Sequence, residues 1–285
     1  MAEQKEDKWS SEAYQHSASF VPKLATKVVQ WLDVQKDDVI LDIGCGDGVL
    51  DVEFGKVLAR GTGSLHGIDA SPAMISAAKK AVEGAGLSNC EFEVLDATKM
   101  STSPTPALHA PTFTKAFSNA ALHWILRAPG SHLAVFASVR DALRPGGALV
   151  LEMGGLGNVG EMRTALLMAV ARRVPGGGGL RAAAAADPWF FPDEAWVTRA
   201  LEEDVGGWRV ERVEREWRPT PADRGGVEGW VRLMGRDLLD AVPEEGGRRE
   251  EAVREAVEVL EHVCATPEGG RVIGYVRLRC LARRL

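Results

Sequence analysis

The chain has 285 residues, 45% of them hydrophobic and 26% charged, with a formal net charge of -6 at pH 7. Such a profile fits an ordinary globular protein with room for one large domain or a domain plus a cap. The acidic balance argues against a sequence-independent grip on nucleic acid, which needs a basic face, and no apolar run approaches the roughly 18 residues of a membrane span. The opening stretch from Met1 to Lys8 carries no apolar run of signal-peptide type, so a cytoplasmic protein is expected. Cys45, Cys90, Cys264 and Cys280 are far apart and lack metal-ligand spacing, which points to reduced thiols and no metal site.

In chain order, a polar stretch holding Trp9, Tyr14 and His16 precedes a helix predicted over Phe20 to Leu32. Val39 to Ile43 is a short apolar run closed by glycines and reads as a buried parallel strand. A helix over Val49 to Arg60 leads to a second strand, Ser64 to Asp69. Ser71 and Pro72 then supply an N-cap and first position for a helix through Glu83. Strands follow at Glu91 to Leu95 and Phe113 to Ser118, then a helix over His132 to Leu143, a turn at Arg144 to Gly147 and a strand over Ala148 to Glu152. Alternating strands and helices mean an α/β, doubly wound parallel sheet. Beyond Gly154 the spacing predicts helices over Met162–Arg173, Asp193–Glu203, Val227–Leu239 and Arg248–Cys264. Strands are expected at Trp208–Trp217 and Arg271–Ala282. Pro175 to Ala186, with its run of glycines and then alanines, reads as a mobile loop or lid. The expected organisation is an N-terminal lid segment and helix over 1–34, a ligand-binding core over 35–153, and cap helices plus the last two strands over 154–285.

The strongest functional signal is Leu41-Asp42-Ile43-Gly44-Cys45-Gly46-Asp47-Gly48 at a strand-to-helix turn, where glycines allow positive φ and close approach of a ligand. Asp69 ends the second strand, 21 residues after Gly48, where an acid can accept both hydroxyls of a ribose. Asp96-Ala97 follows the third strand and offers a carboxylate and a backbone amide to an adenine edge. All fall at the carboxyl ends of strands, where open α/β sheets bind ligands. A dinucleotide fingerprint would need glycine or alanine at the position held by Val49. A sulfonium nucleoside, with no pyrophosphate to cradle, fits better.

These motifs, with Gly67 to Met74, Ser118 to Trp124 and Leu143 to Gly147, resemble the class I S-adenosylmethionine-dependent methyltransferases and, within them, the trans-aconitate methyltransferase group. The resemblance runs over about residues 36–153 and extends more weakly to Trp9, Tyr14 and Tyr275 to Leu278; the stretch from Gly176 to Ala186 matches no family pattern. It implies a Rossmann-like sheet capped by helices from the N-terminus and second half. The cofactor it implies is S-adenosylmethionine, with S-adenosylhomocysteine as product. It implies that Gly44, Gly46 and Gly48 hold the methionine end, Asp42 orders that turn, Asp69 holds the ribose, Asp96 and Ala97 hold the adenine, and Met74 covers its face. The N-terminal segment resembles the family's lid.

Methyl transfer from a sulfonium is an in-line displacement governed by positioning. Asn119 ends the fourth strand, where the methyl group would point. His123 is a candidate base or orienting group, Tyr14 could face the sulfonium, and Arg277 could pair with an acidic substrate. Arg127, Arg140 and Arg144 are weaker candidates of that kind, and Trp124 reads as a pocket wall. The leading expectation is a methyltransferase acting on a carboxylate oxygen of a small, trans-aconitate-like acid, with no nucleic-acid or membrane partner. The alternatives are a secondary-metabolite enzyme acting on a hydroxyl, phenol or amine, to which Trp189, Trp196, Trp217 and Trp230 lend weight, and a non-catalytic cofactor-binding scaffold.

Overall fold

A computed structural model describes residues 25–222 and 225–285. Among the described residues, seven strands form one sheet in the order β3-β2-β1-β4-β5-β7-β6. They are β1 (Val39–Ile43), β2 (Ser64–Asp69), β3 (Cys90–Val94), β4 (Phe113–Asn119), β5 (Leu143–Gly154), β6 (Trp208–Pro221) and β7 (Val272–Arg284). The first five are mutually parallel. Strand β7 runs antiparallel between β5 and β6. The order of connection reverses between β1 and β4, which opens a crevice at their carboxyl ends.

The alternation of side chains along β1 sets the layers. Leu41 and Ile43 pack with Ala116, Leu149 and Leu151 against the face covered by the helix Ser131–Ala142. Ile40 packs on the other face with Phe117, Val150, Phe54 and Leu58. Two helices that cover this face are Val49–Leu58 and Pro72–Gly84. The second begins as its sequence predicts: the Ser71 hydroxyl accepts from the Met74 N–H at 3.1 Å and Pro72 occupies the first turn. A separate core, holding Leu166, Val231, Leu238, Val253 and Leu260, joins the helices Gly160–Ala171, Gly226–Met234, Arg236–Asp240 and Arg248–Val263 into a cap. No helix among the described residues is long and apolar enough to cross a membrane.

Several expectations need correcting. The stretch from Pro175 to Ala186 is not a structureless lid: Gly179–Ala186 is an α-helix whose Ala183 is fully buried in the cap core. Alanine has the highest intrinsic helix propensity, so the alanine run propagates a helix once it is docked. The Arg127 guanidinium donates to the Ala185 carbonyl at 2.8 Å, and Arg163 pairs with Asp187 at 2.5 Å. The helix expected over Val227–Leu239 is broken at Gly235, where a Cβ would lie 2.5 Å from the Val231 carbonyl oxygen and 2.7 Å from Leu166 Cδ1. The last two strands are longer than expected because they form an antiparallel ladder with each other from Trp208↔Arg284 to Pro221↔Val272. Of the helix expected over Phe20–Leu32, Thr26–Leu32 is described; Trp9, Tyr14 and His16 lie outside the described residues.

Candidate functional site

One cavity of about 240 Å³ opens at the carboxyl ends of β1, β2 and β4 and continues beneath the cap. It is lined at one end by Asp42, Gly44, Gly46, Asp69, Met74, Asp96 and Ala97, and beyond them by Asn119, His123, Trp124 and Arg277. Of the sequence-derived candidates, Gly48 lies just behind this wall and Tyr14 lies outside the described residues.

The glycine turn takes the shape that its residues require. Gly44, Gly46 and Gly48 have φ of 73°, 59° and 75°, a region that side chains with a Cβ rarely adopt. A Cβ at Gly46 would meet nothing within 4 Å, so that stretch of backbone faces open space, whereas one at Gly48 would lie 2.9 Å from Ala78. Asp69 braces the turn: its carboxylate accepts from the Gly46 N–H at 3.1 Å and from the Ser71 N–H at 2.8 Å. Asp96 caps the short turn that follows it, accepting from the Thr98 N–H at 3.0 Å and hydroxyl at 2.7 Å. Its other oxygen stays near the cavity, 3.9 Å from Lys99 Nζ. Asn119 turns a buried Oδ1 that has no hydrogen-bond partner among the described residues. A set of groups of this kind suits a nucleoside with an amino-acid tail: the carboxylates of Asp69 and Asp96, the open backbone at Gly46 and an orphaned Asp42 Oδ1.

Asp42 has a neighbour that the sequence did not flag. It alternates onto the sheet face covered by the helix Val49–Leu58, whose inward side carries Asp51, Phe54 and Leu58. Asp51 is fully buried and Asp42 is 3% exposed. Neither Asp51 oxygen meets a donor from another described residue, so the two carboxyls can bond only when one holds a proton. Burial, then the neighbouring acids Asp51 and Asp69, push Asp42 well above the usual carboxylate range. Burial raises Asp51 to about 7, with Asp47 adding to the rise.

The far end of the cavity is aromatic. Trp189 lies between Trp124 (centroids 5.7 Å apart) and Trp230 (5.8 Å), and stacks on Phe191 at 6.0 Å. Trp230 is fixed by its Nε1–H, which donates to the Tyr275 hydroxyl oxygen at 2.6 Å. Trp196 instead packs on Phe190 outside the cavity, and Trp217 is 68% exposed.

Two polar groups stand against this wall. Arg277 is 2% exposed; its Nε lies 3.2 Å from Glu152 Oε1, out of hydrogen-bond alignment, and neither Nε nor Nη2 meets an acceptor among the described residues. Arg279, two residues on, is fully engaged, with Glu152 at 2.5 Å and Glu214 at 3.1 Å. His123 accepts the Gly154 N–H on Nδ1 at 3.3 Å, so the neutral ring carries its proton on Nε2. Burial and the Arg277 charge hold its pKa down to about 3. The other arginines raised by the sequence serve structure: Arg127 holds Ala185, and Arg140 donates to the carbonyls of Val205 and Gly206. Neither these two nor Arg144 lines the cavity.

Residues 40–147 match a family model described as a methyltransferase domain. An uncharacterized methyltransferase of Schizosaccharomyces pombe is 36% identical over 282 residues, 98% of this chain and 99% of its own length. Trans-aconitate 2-methyltransferase of Escherichia coli is 28% identical over 154 residues, 51% of this chain and 50% of that protein. Among solved structures, the YcgJ protein of Bacillus subtilis superposes with a TM-score of 0.58 at 13% identity, covering 91% of this chain and 97% of that one. Geranyl diphosphate C-methyltransferase of Streptomyces coelicolor, solved with Mg2+, geranyl diphosphate and S-adenosylhomocysteine, gives 0.51 at 13% identity over 93% of this chain and 77% of its own. At such identities the structural likeness speaks for the fold alone.

Proposed function

The chain belongs to the S-adenosylmethionine-dependent methyltransferases, and on that footing we propose that it methylates a carboxylate oxygen of a small molecule. In such a transfer the acceptor oxygen's electron pair forms the new bond to the methyl carbon as the carbon–sulfur bond breaks, leaving S-adenosylhomocysteine and releasing no proton. The open backbone at Gly46, with its neighbour Gly44 and the orphaned oxygen of Asp42, would receive the amino-acid end of the cofactor. Asp69 would take the ribose, Asp96 and Ala97 the adenine, with Met74 over its face. Asn119, at the end of β4, would lie near the place where methyl carbon and acceptor meet.

The observation that carries this reading is Arg277. A buried guanidinium with two nitrogens lacking acceptors is costly unless an anion completes it, and a carboxylate matches its fork. His123 supports the same reading. With Nδ1 occupied and Nε2 protonated, it has no lone pair to offer an acceptor proton, so it orients by donating. A carboxylate, already ionised at neutral pH, needs no base. The aromatic wall favours a second reading, a phenol or amine acceptor, which would need a base other than His123.

Incubating the protein with deuterated-methyl cofactor and a metabolite extract, then following products by mass spectrometry, tests the proposal. Products that lose the label on mild alkaline hydrolysis are methyl esters and support it. Alkali-stable ethers or amines refute it.

A further inference from the structure

Granting the carboxylate reading, we propose that the acceptor is a monocarboxylic acid with a planar, apolar body rather than a polycarboxylate. Among the described residues lining the cavity, Arg277 is the sole cation. The lining acids Asp42, Asp47, Asp69 and Asp96 lie at the end formed by the glycine turn and the neighbouring strand ends. His123 cannot add a charge, because its ring stays neutral through the physiological range. One guanidinium fork completes one carboxylate. Further carboxylates on the same acceptor would have to leave water with no cation to meet them, and an ion buried without a partner is strongly disfavoured.

The rest of the chamber says what the body should be. Beyond Arg277 the walls are Trp124, Trp189, Phe191, Trp230 and Met234. Trp189 and Trp230 are 7% and 4% exposed, held by their ring contacts and by the Trp230 bond to Tyr275. Rigid indole faces meet a flat ring by offset stacking or edge contact, and a thioether adapts to what remains. The same faces could cage an alkylammonium ion, but Arg277 in the same chamber would repel one. The charge and the walls therefore agree on a flat acid with a single anionic end. The acceptor carboxylate's oxygen takes the methyl group, the carbon–sulfur bond breaks toward sulfur, and the neutral ester loses the charge that paired it with Arg277, which favours product release.

The test uses the full chain with deuterated-methyl S-adenosylmethionine and three probe sets: planar monoacids (indole-3-acetic, naphthoic and cinnamic acids), polycarboxylates (trans-aconitic and citric acids), and phenols and arylamines of matched size. Ester formation from a planar monoacid with kcat/KM at least about 100-fold above trans-aconitate is expected. Trp189→Leu should lower that kcat/KM by about tenfold or more through KM, while calorimetric affinity for S-adenosylhomocysteine stays unchanged, which also shows that the variant is folded. Turnover of trans-aconitate at equal or better efficiency, or no ester from any planar monoacid, overturns the proposal. In the first case the carboxylate reading survives. Methylation confined to phenols or arylamines overturns that reading as well.

Discussion

Asp51→Asn should make the cofactor-free protein more stable at neutral pH and less sensitive to pH. In the native chain, burial raises Asp51 to about 7 and Asp42 well above its ordinary value, while in the unfolded chain both titrate near 4. Between about pH 4 and 7 the unfolded chain has lost protons that the folded chain keeps. For groups whose folded pKa is raised, stability is therefore highest below the unfolded pKa and is lost as pH climbs to the folded one. Asp51 contributes about 1.4 kcal/mol of loss per pH unit over about three units, on the order of 4 kcal/mol in all. The introduced amide cannot ionise and can donate to Asp42, so Asp51's share of the slope disappears and Asp42's remains. Comparing variant and wild type at the same pH cancels opposing groups such as Glu214 and Glu216, whose arginine and lysine partners hold them below the usual range. Urea unfolding at pH 4, 5, 6, 7 and 8 supplies the midpoints and slopes. The stability difference should start near zero at pH 4 and grow to favour the variant by a few kcal/mol at pH 8. A difference that does not change with pH would refute the account of the pair.

Three further outcomes follow from the site. Asp69→Ala should weaken S-adenosylhomocysteine binding by about tenfold or more, since bonds to a charged acceptor are worth roughly 1.5 to 3 kcal/mol each; calorimetry giving equal affinity for both proteins removes Asp69 from the cofactor site. His123→Ala should cost far less than the roughly 10²–10⁴-fold expected for a lost base. Because His123 titrates near 3, the wild-type rate should stay nearly flat from about pH 6 to 9, and a steep rise near pH 7 that vanishes in the variant would make it a base after all. Arg277→Ala should raise the acceptor KM by about tenfold or more with cofactor affinity intact, because it removes binding shared by ground and transition states; an unchanged KM would show that the guanidinium is structural.

The five parallel strands were legible because they alternate with helices and are bounded by glycine, proline or acidic residues, and their observed starts and ends mostly fall within one or two residues of expectation. Strand β5 is the exception, since its pairing with β4 begins at Leu143, before the turn that seemed to mark its start. The alanine-rich stretch failed for a different reason: its glycines do form a turn, with positive φ at Gly176, Gly177 and Gly179, but composition hid the helix behind them. The end of the cavity lined by the glycine turn, Asp69 and Asp96 was readable because each part sits beside a strand end within a contiguous motif. The aromatic end was not, because it is assembled by tertiary packing. Trp124 follows β4, Trp189 and Phe191 follow the helix Gly179–Ala186, Trp230 lies on the cap helix Gly226–Met234, and Arg277 arrives on β7 opposite Gly154. A Cβ at Gly154 would lie 2.5 Å from Phe191, so that glycine leaves room for the ring. Asp51 gave no signal at all, since an acid one turn into a helix looks like a solvated residue until the sheet behind it is in place.

Some departures from good packing lie on the cavity wall, while others, such as those at Asp51 and Trp208, lie away from it. Arg277 and Arg279 share one face of β7 and the same partner, Glu152. Arg279 is satisfied by three carboxylates, whereas Arg277, which reaches the cavity, keeps two nitrogens without acceptors. Asn119 and Asp42, both on the cavity wall, keep buried oxygens without donors. Of the three non-glycine residues with positive φ among the described residues, Ala120 (58°) and Val159 (45°) line the cavity, and Asp33 (47°) ends a helix elsewhere. Each such feature costs stability, by roughly 1 to 3 kcal/mol for a strained φ and a similar amount for an unmet buried polar group. Those on the cavity wall at Arg277, Asn119 and Asp42 suit a preorganised site, because polar groups held open by the fold need no reorganisation when a ligand arrives.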